Sequence, residues 1–489
     1  MLFNSHIFIL LFLPLLLAGW YFLNWKKKFQ LAQGYLIGMS LWFYAYANLQ
    51  YLWLLLFSCL IGWLLSCLPE KISSEKGKKA LIGIGCVFHL GLLGYFKYSN
   101  FFLENLNTVF HTDFPMLQIL LPIGISFYTF QQLAYLIDRC RGDAPGDRFF
   151  DYLTFMVYFP QLLQGPILLR SEFMEQLKEP ERRRFHAERF SEGIQFFVFG
   201  LAKKVLLADT LAKAVNYGYS NVSMLDSISA LLLAAGYLTE LYFDFSGYCD
   251  MAIGLGKMIG LEIAENFDAP FHSASVKEFW RRWHMTLGRF FTRYVYIPLG
   301  GNRKGKMRTL CNVMIVMLLS GLWHGAAWTF VLWGFLHGVG MIWDNLEHPH
   351  LPRKWMRQAA TFAYVCMTFV FFRAESIAQG FDVLKSIVSL KWNGFVFQMA
   401  SALDLTEFYM ITKALSMKLP GLLSWFWFGI FVVLIAICVR VLSGGKVSDV
   451  VALQKQKGYG RLYPVLLAVL FTWSMISMTG VSEYLYFSF

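Results

Sequence analysis

Long runs of apolar residues constrain this chain of 489 residues more than any other feature. A helix needs about 20 apolar residues to cross a hydrocarbon core of about 30 Å. Only 15% of the residues are charged, against about 25% in soluble proteins, which is too few to coat a surface exposed to water. Runs with almost no ionised side chain recur along the whole chain, at residues 7–22, 51–68, 81–95, 231–243, 425–441 and 463–478. The sequence therefore predicts an all-α polytopic membrane protein, with one integral membrane domain over residues 1–489 and about 11–12 transmembrane helices.

The basic residues indicate how the chain is oriented. The formal net charge is +12, and Lys and Arg lie mainly in short loops between apolar runs. The positive-inside rule explains this placement and puts those loops in the cytoplasm, with both chain termini outside. It also argues against nucleic acid as a partner and leaves membrane lipid as the surroundings. Residues 1–25 have no basic residue before their apolar run, which favours a retained first span over a removed signal peptide.

Residues 246–308 break the spanning pattern. Between Lys277 and Arg308 there are nine Lys or Arg residues and one acid, Glu278. Such a segment cannot cross lipid as an exposed helix. It must lie at the interface, or re-enter the membrane shielded by other helices, where irregular polar structure usually lines a cavity. Its position alone marks this segment as the functional centre.

Two of the ten histidines are candidates for chemistry. His324 lies sixteen residues past Arg308, about 24 Å along a helix, and an ionisable group at that depth indicates function. Packing is the alternative, because Gly321 and Gly325 form a Gly-x-x-x-Gly pair. His284 ends a polar, aromatic segment that an interfacial helix would explain equally well. The isolated histidines of apolar runs, His89 and His337, are expected to be hydrogen-bonded structural residues.

Other kinds of site find little support. The eight cysteines include no Cys-x-x-Cys pair and lie mostly in apolar runs, so we expect buried thiols with neither disulfides nor a metal site. No carboxylate or third histidine is spaced to complete a metal site with His284 and His324. The sequence also lacks a Gly-x-Ser-x-Gly elbow and a phosphate loop, which argues against a serine hydrolase and a nucleotide-driven pump.

Several segments resemble signatures of the membrane-bound O-acyltransferases, in the branch of bacterial alginate and peptidoglycan O-acetyltransferases. The segment Leu-Tyr-Phe-Asp-Phe-Ser-Gly-Tyr at residues 241–248 and the segment Trp-His-Gly at residues 323–325 carry the resemblance most specifically. Further similar segments lie at residues 121–130, 159–166, 265–270, 278–284 and 294–303. The resemblance delimits a catalytic core at residues 121–345.

The resemblance implies a bundle of helices around a central tunnel, with re-entrant or interfacial helices and His324 and His284 as catalytic histidines. Such enzymes take an acyl group, usually acetyl, from a cytoplasmic thioester, either acetyl-coenzyme A or an acyl carrier protein, and bind no other cofactor. An extracytoplasmic acetyltransferase of the SGNH type then passes the group to a surface polysaccharide. The expected location is the bacterial cytoplasmic membrane, as a multi-pass protein.

Acyl transfer needs a base, which His324 would supply, and donors that stabilise an oxyanion. We expect the donors or wall residues among Trp323, Trp283, Ser246 and Asn302. Arg281 and Arg282 lie in the basic segment that could hold the phosphates of coenzyme A or the acidic surface of a carrier. The positive-inside rule, by which basic residues set the orientation of the chain in the membrane, explains these arginines equally well.

The last residues, 481–489, end in Tyr-Leu-Tyr-Phe-Ser-Phe and are predicted to form an extracytoplasmic aromatic tail. The tail resembles the terminal motif of related acetyltransferases, although Tyr484 and Ser488 replace the usual phenylalanine and glutamine. The hypothesis is that the tail enters the tunnel and that the Tyr486 phenol takes the acyl group at His324. An interfacial aromatic anchor is the alternative.

Three other functions remain open from the sequence. The first is transfer of another acyl group, such as D-alanine from a carrier protein. The second, of a different class, is a transporter or flippase, although no inverted repeat is found. The third is an idle scaffold, which the presence of both motif histidines argues against.

Overall fold

The computed structural model describes residues 1–346, 353–458, 460–478 and 484–485, and all regular structure within these ranges is helical. In chain order the α-helices of the described ranges, α1 to α23, are Leu13–Trp25, Phe29–Asn48, Leu52–Ser66, Glu75–Leu93, Ser99–Phe110, Ile125–Arg141, Phe149–Val157, Phe159–Leu162, Arg170–Lys178, Ala187–Ala202, Asp209–Ser220, Ser227–Ile259, Val276–Arg282, Met285–Phe291, Lys306–His324, Trp328–Asn345, Lys354–Arg373, Ile377–Val388, Phe395–Ser401, Tyr409–Lys418, Pro420–Ser443, Val447–Lys457 and Leu462–Ser477. Turns of π-helix extend or join them at Phe8–Phe12, Gly94–Tyr98, Lys203–Ala208 and Thr292–Tyr296.

The helices confirm an all-α polytopic membrane protein. Within the described ranges, six helical segments are long and apolar enough to cross a membrane: Phe8–Trp25, Leu49–Lys71, Glu75–Phe110, Ser227–Ile259, Lys306–His324 and Pro420–Ser443. This number is below the predicted 11–12 because other long helices are less apolar or carry buried charge. One example joins α10, a π-helical turn and α11, and it carries the ion-paired Lys203 and Lys204.

Helix α12 is the central helix of the bundle. Its 33 residues span about 50 Å at 1.5 Å per residue. Its most apolar stretch is 72% buried, whereas the other five spanning candidates are buried by 39% or less. Helix α10 packs on it through glycines: a Cβ at Gly193 would lie 2.7 Å from the Gly254 carbonyl oxygen, and one at Gly200 would lie 2.5 Å from that of Gly247. Small residues allow this close approach of two backbones in a membrane.

Helices α15 and α16 form a tight hairpin. A Cβ at Gly321 of α15 would lie 2.3 Å from the carbonyl oxygen of Phe330 and 3.3 Å from the Cα of Gly334 in α16. Gly321 therefore contributes to packing, as its place in the Gly-x-x-x-Gly pair predicted. The hairpin holds the residue at its tip, His324, in a fixed position.

Ion pairs connect the last basic loop, residues 443–461, with α10 and with the segment that follows α12. Lys446, from the last basic loop, pairs with Glu265 at 3.0 Å, and Lys455 pairs with Glu192 of α10 at 3.1 Å. Lys257, at the end of α12, reaches the same Glu192 at 3.0 Å. These contacts put the last basic loop beside the end of α12, which agrees with the predicted common side of the two segments.

Candidate active site

His324 is the last residue of α15, at the tip of the hairpin. The chain leaves the helix through Gly325, which is extended (φ −158°, ψ 151°) and packs so tightly on Phe330 that a Cβ would lie 2.0 Å from its ring. The His324 side chain is 4% exposed, and its ring lies 5.2 Å from each of the Trp333 and Phe372 rings, between centroids. Because an ion is costly among aromatic rings, this site accommodates a neutral imidazole.

His284 lies at the junction of α13 and α14 and is 1% exposed. Its backbone is left-handed, with φ 47°, a conformation that is strained for a residue with a side chain and that clusters at functional sites. Its Nδ1 lies 3.2 Å from Oδ1 of Asn266, and the same oxygen accepts bonds from the backbone N–H and the hydroxyl of Thr286. Since that oxygen is an acceptor, Nδ1 of His284 carries the proton, and the other ring nitrogen, Nε2, carries the lone pair in the neutral tautomer.

The structure brings the two predicted histidines together from segments 40 residues apart in sequence. Their ring centroids are 6.3 Å apart, and the Trp323 ring lies 6.1 Å from His284 and 4.9 Å from His324. Phe245 of the central helix packs edge-on against His284 at 4.8 Å. The pair therefore occupies a water-poor aromatic chamber between α12, α14 and α15.

A small cavity reaches His324 from the side of the loop before α6. Its volume is about 50 Å³, and it is lined by Lys97, residues 121–127, Leu163, Trp323 and His324. The loop supplies small and apolar lining residues, among them Gly124, whose φ of 78° favours glycine. The predicted sidedness puts this loop outside, which makes the cavity the predicted extracytoplasmic approach to His324.

Lys97 and Tyr98 hold the end of α15 from the π-helical turn Gly94–Tyr98. The Lys97 ammonium donates to the carbonyl oxygens of Trp323 at 2.7 Å and His324 at 2.8 Å, and the Tyr98 hydroxyl donates to that of Leu322. The last carbonyls of a helix lack partners within it, so these side chains complete the hydrogen bonding of the turn that carries His324.

A group of buried charges lies against the central helix α12. The Lys204 ammonium contacts Asp244 of α12 at 2.6 Å and Asp209 at 2.8 Å. The same ammonium lies 4.6 Å from the ring centroid of Tyr484, which is fully buried and packs edge-on against Tyr248 at 5.0 Å. The described part of the tail thus lies inside the bundle. The predicted relay residue, Tyr486, lies outside the described residues.

The other predicted site residues are dispersed. Trp283 is buried in the aromatic cluster beside Phe279 and Phe369, and Ser246 is buried on α12. The structure does not bring Asn302 to His324: it lies on an exposed turn before α15, at the opposite end of that helix. His337 accepts a bond from Trp280 at 3.2 Å and contacts Thr368 at 2.9 Å, so it is hydrogen-bonded as expected.

Three of the nine basic residues of the segment 277–308 form ion pairs with described residues. Arg282 pairs with Glu278 at 2.9 Å, Arg293 with Asp138 at 3.0 Å, and Arg289 with Glu172. Arg281 is exposed. Four further exposed cations have no ion pair with any described residue, and we call them the basic turn: Arg303, Lys304, Lys306 and Arg308.

Two residues of the site, Asn266 and Lys97, were not predicted. Asn266 lies within the segment 246–308 that was predicted to be functional, but its contact with His284 depends on a left-handed turn that the sequence does not specify. Lys97 lies alone between apolar and aromatic residues, beside a predicted span. A single lysine at that depth in the membrane was the sequence signal that could have identified it.

Comparison with known proteins gives a consistent result. The model of the membrane-bound O-acyltransferase family matches residues 147–381. A peptidoglycan O-acetyltransferase of Helicobacter pylori is 36% identical over 423 residues, which cover 80% of each chain. A probable alginate O-acetylase of Pseudomonas putida is 39% identical over 392 residues, 77% of this chain and 78% of the other. A teichoic acid D-alanyltransferase of Streptococcus thermophilus is 28% identical over 253 residues, 49% of this chain and 58% of the other.

Proposed function

The chain belongs to the membrane-bound O-acyltransferase family, and from this premise we propose that it moves an acetyl group from a cytoplasmic thioester for the O-acetylation of a surface polysaccharide. The observation that carries the proposal is the buried His324 at the tip of a hairpin, beside His284 and at the wall of a cavity. A multi-pass O-acyltransferase of this kind would act in the bacterial cytoplasmic membrane.

The chemistry assigned to His324 is general base catalysis. A neutral imidazole takes the proton of an attacking hydroxyl and returns it to the departing thiolate. The aromatic chamber keeps water away from the thioester, which limits its hydrolysis. His284 orients the reacting groups through a ring that Asn266 holds in one tautomer.

The donor approaches from the cytoplasmic end. Free cations suit the phosphates of coenzyme A or the acidic surface of an acyl carrier protein. The ion pair with Glu278 already engages Arg282, so the basic turn and Arg281 are the better candidates for contact with the donor. Topogenic charge would account for the same residues without any donor contact.

The acyl group leaves toward the outside by way of the C-terminal tail. The burial of Tyr484 and its contact with Tyr248 support a tail that folds back into the bundle. On this proposal the Tyr486 phenol accepts the acyl group at His324. An extracytoplasmic acetyltransferase of the SGNH type then transfers it to the polysaccharide.

Transfer of D-alanine from a carrier protein is the second candidate. Its support is the similarity to teichoic acid D-alanyltransferases, at 28% identity over about half of this chain. Relatives named for O-acetylation match at 36–39% over more than three quarters of the chain, which favours acetyl. A transporter or flippase has no observation in its favour.

The test is the ester content of the surface polysaccharide, released by mild base and identified by mass spectrometry. Cells with the intact chain are compared with cells carrying His324→Ala or the control His111→Ala, in an exposed loop, at equal membrane abundance. We expect one ester, acetate, to disappear with His324→Ala alone. Loss of a D-alanyl ester instead would select the second candidate. An unchanged ester profile would remove His324 from the chemistry and overturn the proposal.

A further inference from the structure

The Lys97 side chain lies at the C-terminal end of α15. It enters from the π-helical turn Gly94–Tyr98, and turns of this kind frequently occur at functional sites. Its Nζ spans two consecutive carbonyl oxygens, those of Trp323 and His324, at 2.7 and 2.8 Å. These carbonyls form the negative end of the helix dipole, which a cation stabilises.

The same side chain lies on the wall of the cavity that reaches His324. An ammonium group has three N–H donors, and two of them are directed to the carbonyls. The positive charge is therefore fixed beside the space in which a substrate carbonyl would react. The charge also acts over a longer range here than in water, because the surroundings are apolar.

We propose that Lys97 is a positioning residue of the acyl-transfer site, which fixes the backbone that carries His324 and places a positive charge on the wall of the reaction cavity. The proposal rests on the proposed function of His324. It assigns Lys97 two separable tasks, hydrogen bonding to the helix end and electrostatic stabilisation of a developing oxyanion.

The reaction balances without any change at Lys97. The acceptor oxygen forms a bond to the acyl carbon, its proton passes to His324, and the carbonyl π electrons move to oxygen. When the tetrahedral intermediate collapses, the carbon–sulfur bond breaks and the thiolate takes the proton from His324. No proton passes to or from Lys97 in either step, so its two bonds to the helix end are kept throughout.

Three substitutions separate the two tasks. Lys97→Met removes both the donors and the charge, Lys97→Gln keeps a donor without charge, and Lys97→Arg keeps donors and charge. Lys79→Met is the matched control, since Lys79 is an exposed lysine of α4 in the same long helical segment. The measurement is the initial rate at which ester appears on the surface polysaccharide after induction, at equal membrane abundance. The melting temperature of each purified variant is recorded alongside.

We expect Lys97→Met to lower the rate about 100-fold, the effect of misplacing a catalytic group by about 1 Å. The rates should rank Arg above Gln above Met, while Lys79→Met stays at the rate of the intact chain. Rates of all three Lys97 variants equal to that of the intact chain would overturn the proposal. The proposal would also be overturned if the losses of rate followed the melting temperatures of the variants and not the order of charge and donors.

Two further variants make the test more specific. Tyr98→Phe removes the neighbouring bond to Leu322 and leaves the charge in place, so it should lower the rate by less than Lys97→Met. The second variant is His324→Ala, which removes the ring that Lys97 positions and should abolish the ester. If His324→Ala abolishes the ester but Lys97→Met does not lower the rate, this inference fails while the proposed function stands. If His324→Ala leaves the ester in place, the proposed function itself fails.

Discussion

The backbone N–H of Leu485 donates a hydrogen bond to a carboxylate oxygen of Asp244, 3.1 Å away, and so ties the C-terminal tail to the middle of the central helix α12. Tyr484, the residue before it, has no exposed surface. A tail that served only as an interfacial anchor would place this ring at the membrane surface. Its burial argues against an interfacial anchor for this part of the tail.

Replacing Asp244 by asparagine should loosen the tail. Asparagine keeps the size of the side chain but removes the charge that pairs with Lys204, which retains Asp209 at 2.8 Å. We expect the surface ester to fall about tenfold, in keeping with loss of a charged hydrogen bond worth about 1.5 kcal/mol or more. Tyr484→Cys should also become reactive to a membrane-impermeant maleimide in the Asp244→Asn chain.

The control for that experiment is Asp382→Asn, in an exposed acid of α18. It should change neither the ester nor the labelling. Equal labelling of Tyr484→Cys with and without Asp244→Asn would contradict a tail held by Asp244.

Tyr486→Phe tests the relay directly. Phenylalanine keeps the aromatic ring but has no oxygen to carry an acyl group, so the surface ester should disappear at unchanged membrane abundance. Tyr409→Phe, in an exposed tyrosine at the start of α20, is the matched control and should leave the ester unchanged. A Tyr486→Phe chain with full surface acylation would exclude the phenol as the acyl carrier.

We expect Asn266 to hold the His284 ring in its position. Asn266→Ala removes the oxygen that receives His284 Nδ1 and both donors of Thr286. Leaving buried donors without an acceptor costs about 1–3 kcal/mol each. The ester should fall about 100-fold, as expected when a catalytic ring is misplaced by about 1 Å, and the melting temperature should fall as well.

Asn302→Ala is the natural control for Asn266→Ala, because Asn302 lies on an exposed turn. It should alter neither measurement. If Asn302→Ala lowered the ester as much as Asn266→Ala, Asn302 would belong to the site. That result would contradict its position at the far end of α15.

The sequence could predict the features that depend on pattern. Apolar runs fix the fold class, and the resemblance located His324 and His284, which the structure places 6.3 Å apart. The roles of Lys97 and Asn266 could not be predicted, because they depend on geometry that has no local signature in the sequence. A π-helical turn aims Lys97 at a helix end more than 220 residues away in sequence. A left-handed residue turns His284 toward Asn266.

The basic turn offers the sharpest test of the donor side, because its four cations form no ion pair with any described residue. Replacing all four with glutamine should slow acylation about tenfold if they attract a phosphorylated or acidic donor, since steering by charge changes association rates by about 10–1000-fold. The same replacement at Lys26, Lys27 and Lys28, exposed residues predicted to lie on the same side of the membrane, is the control for topogenic charge. The measurement is the initial rate of ester formation, with insertion of both chains checked by protease protection. Equal rates for the two sets would assign the basic turn to topology alone, whereas a loss confined to the basic turn would identify it as the contact surface for the donor.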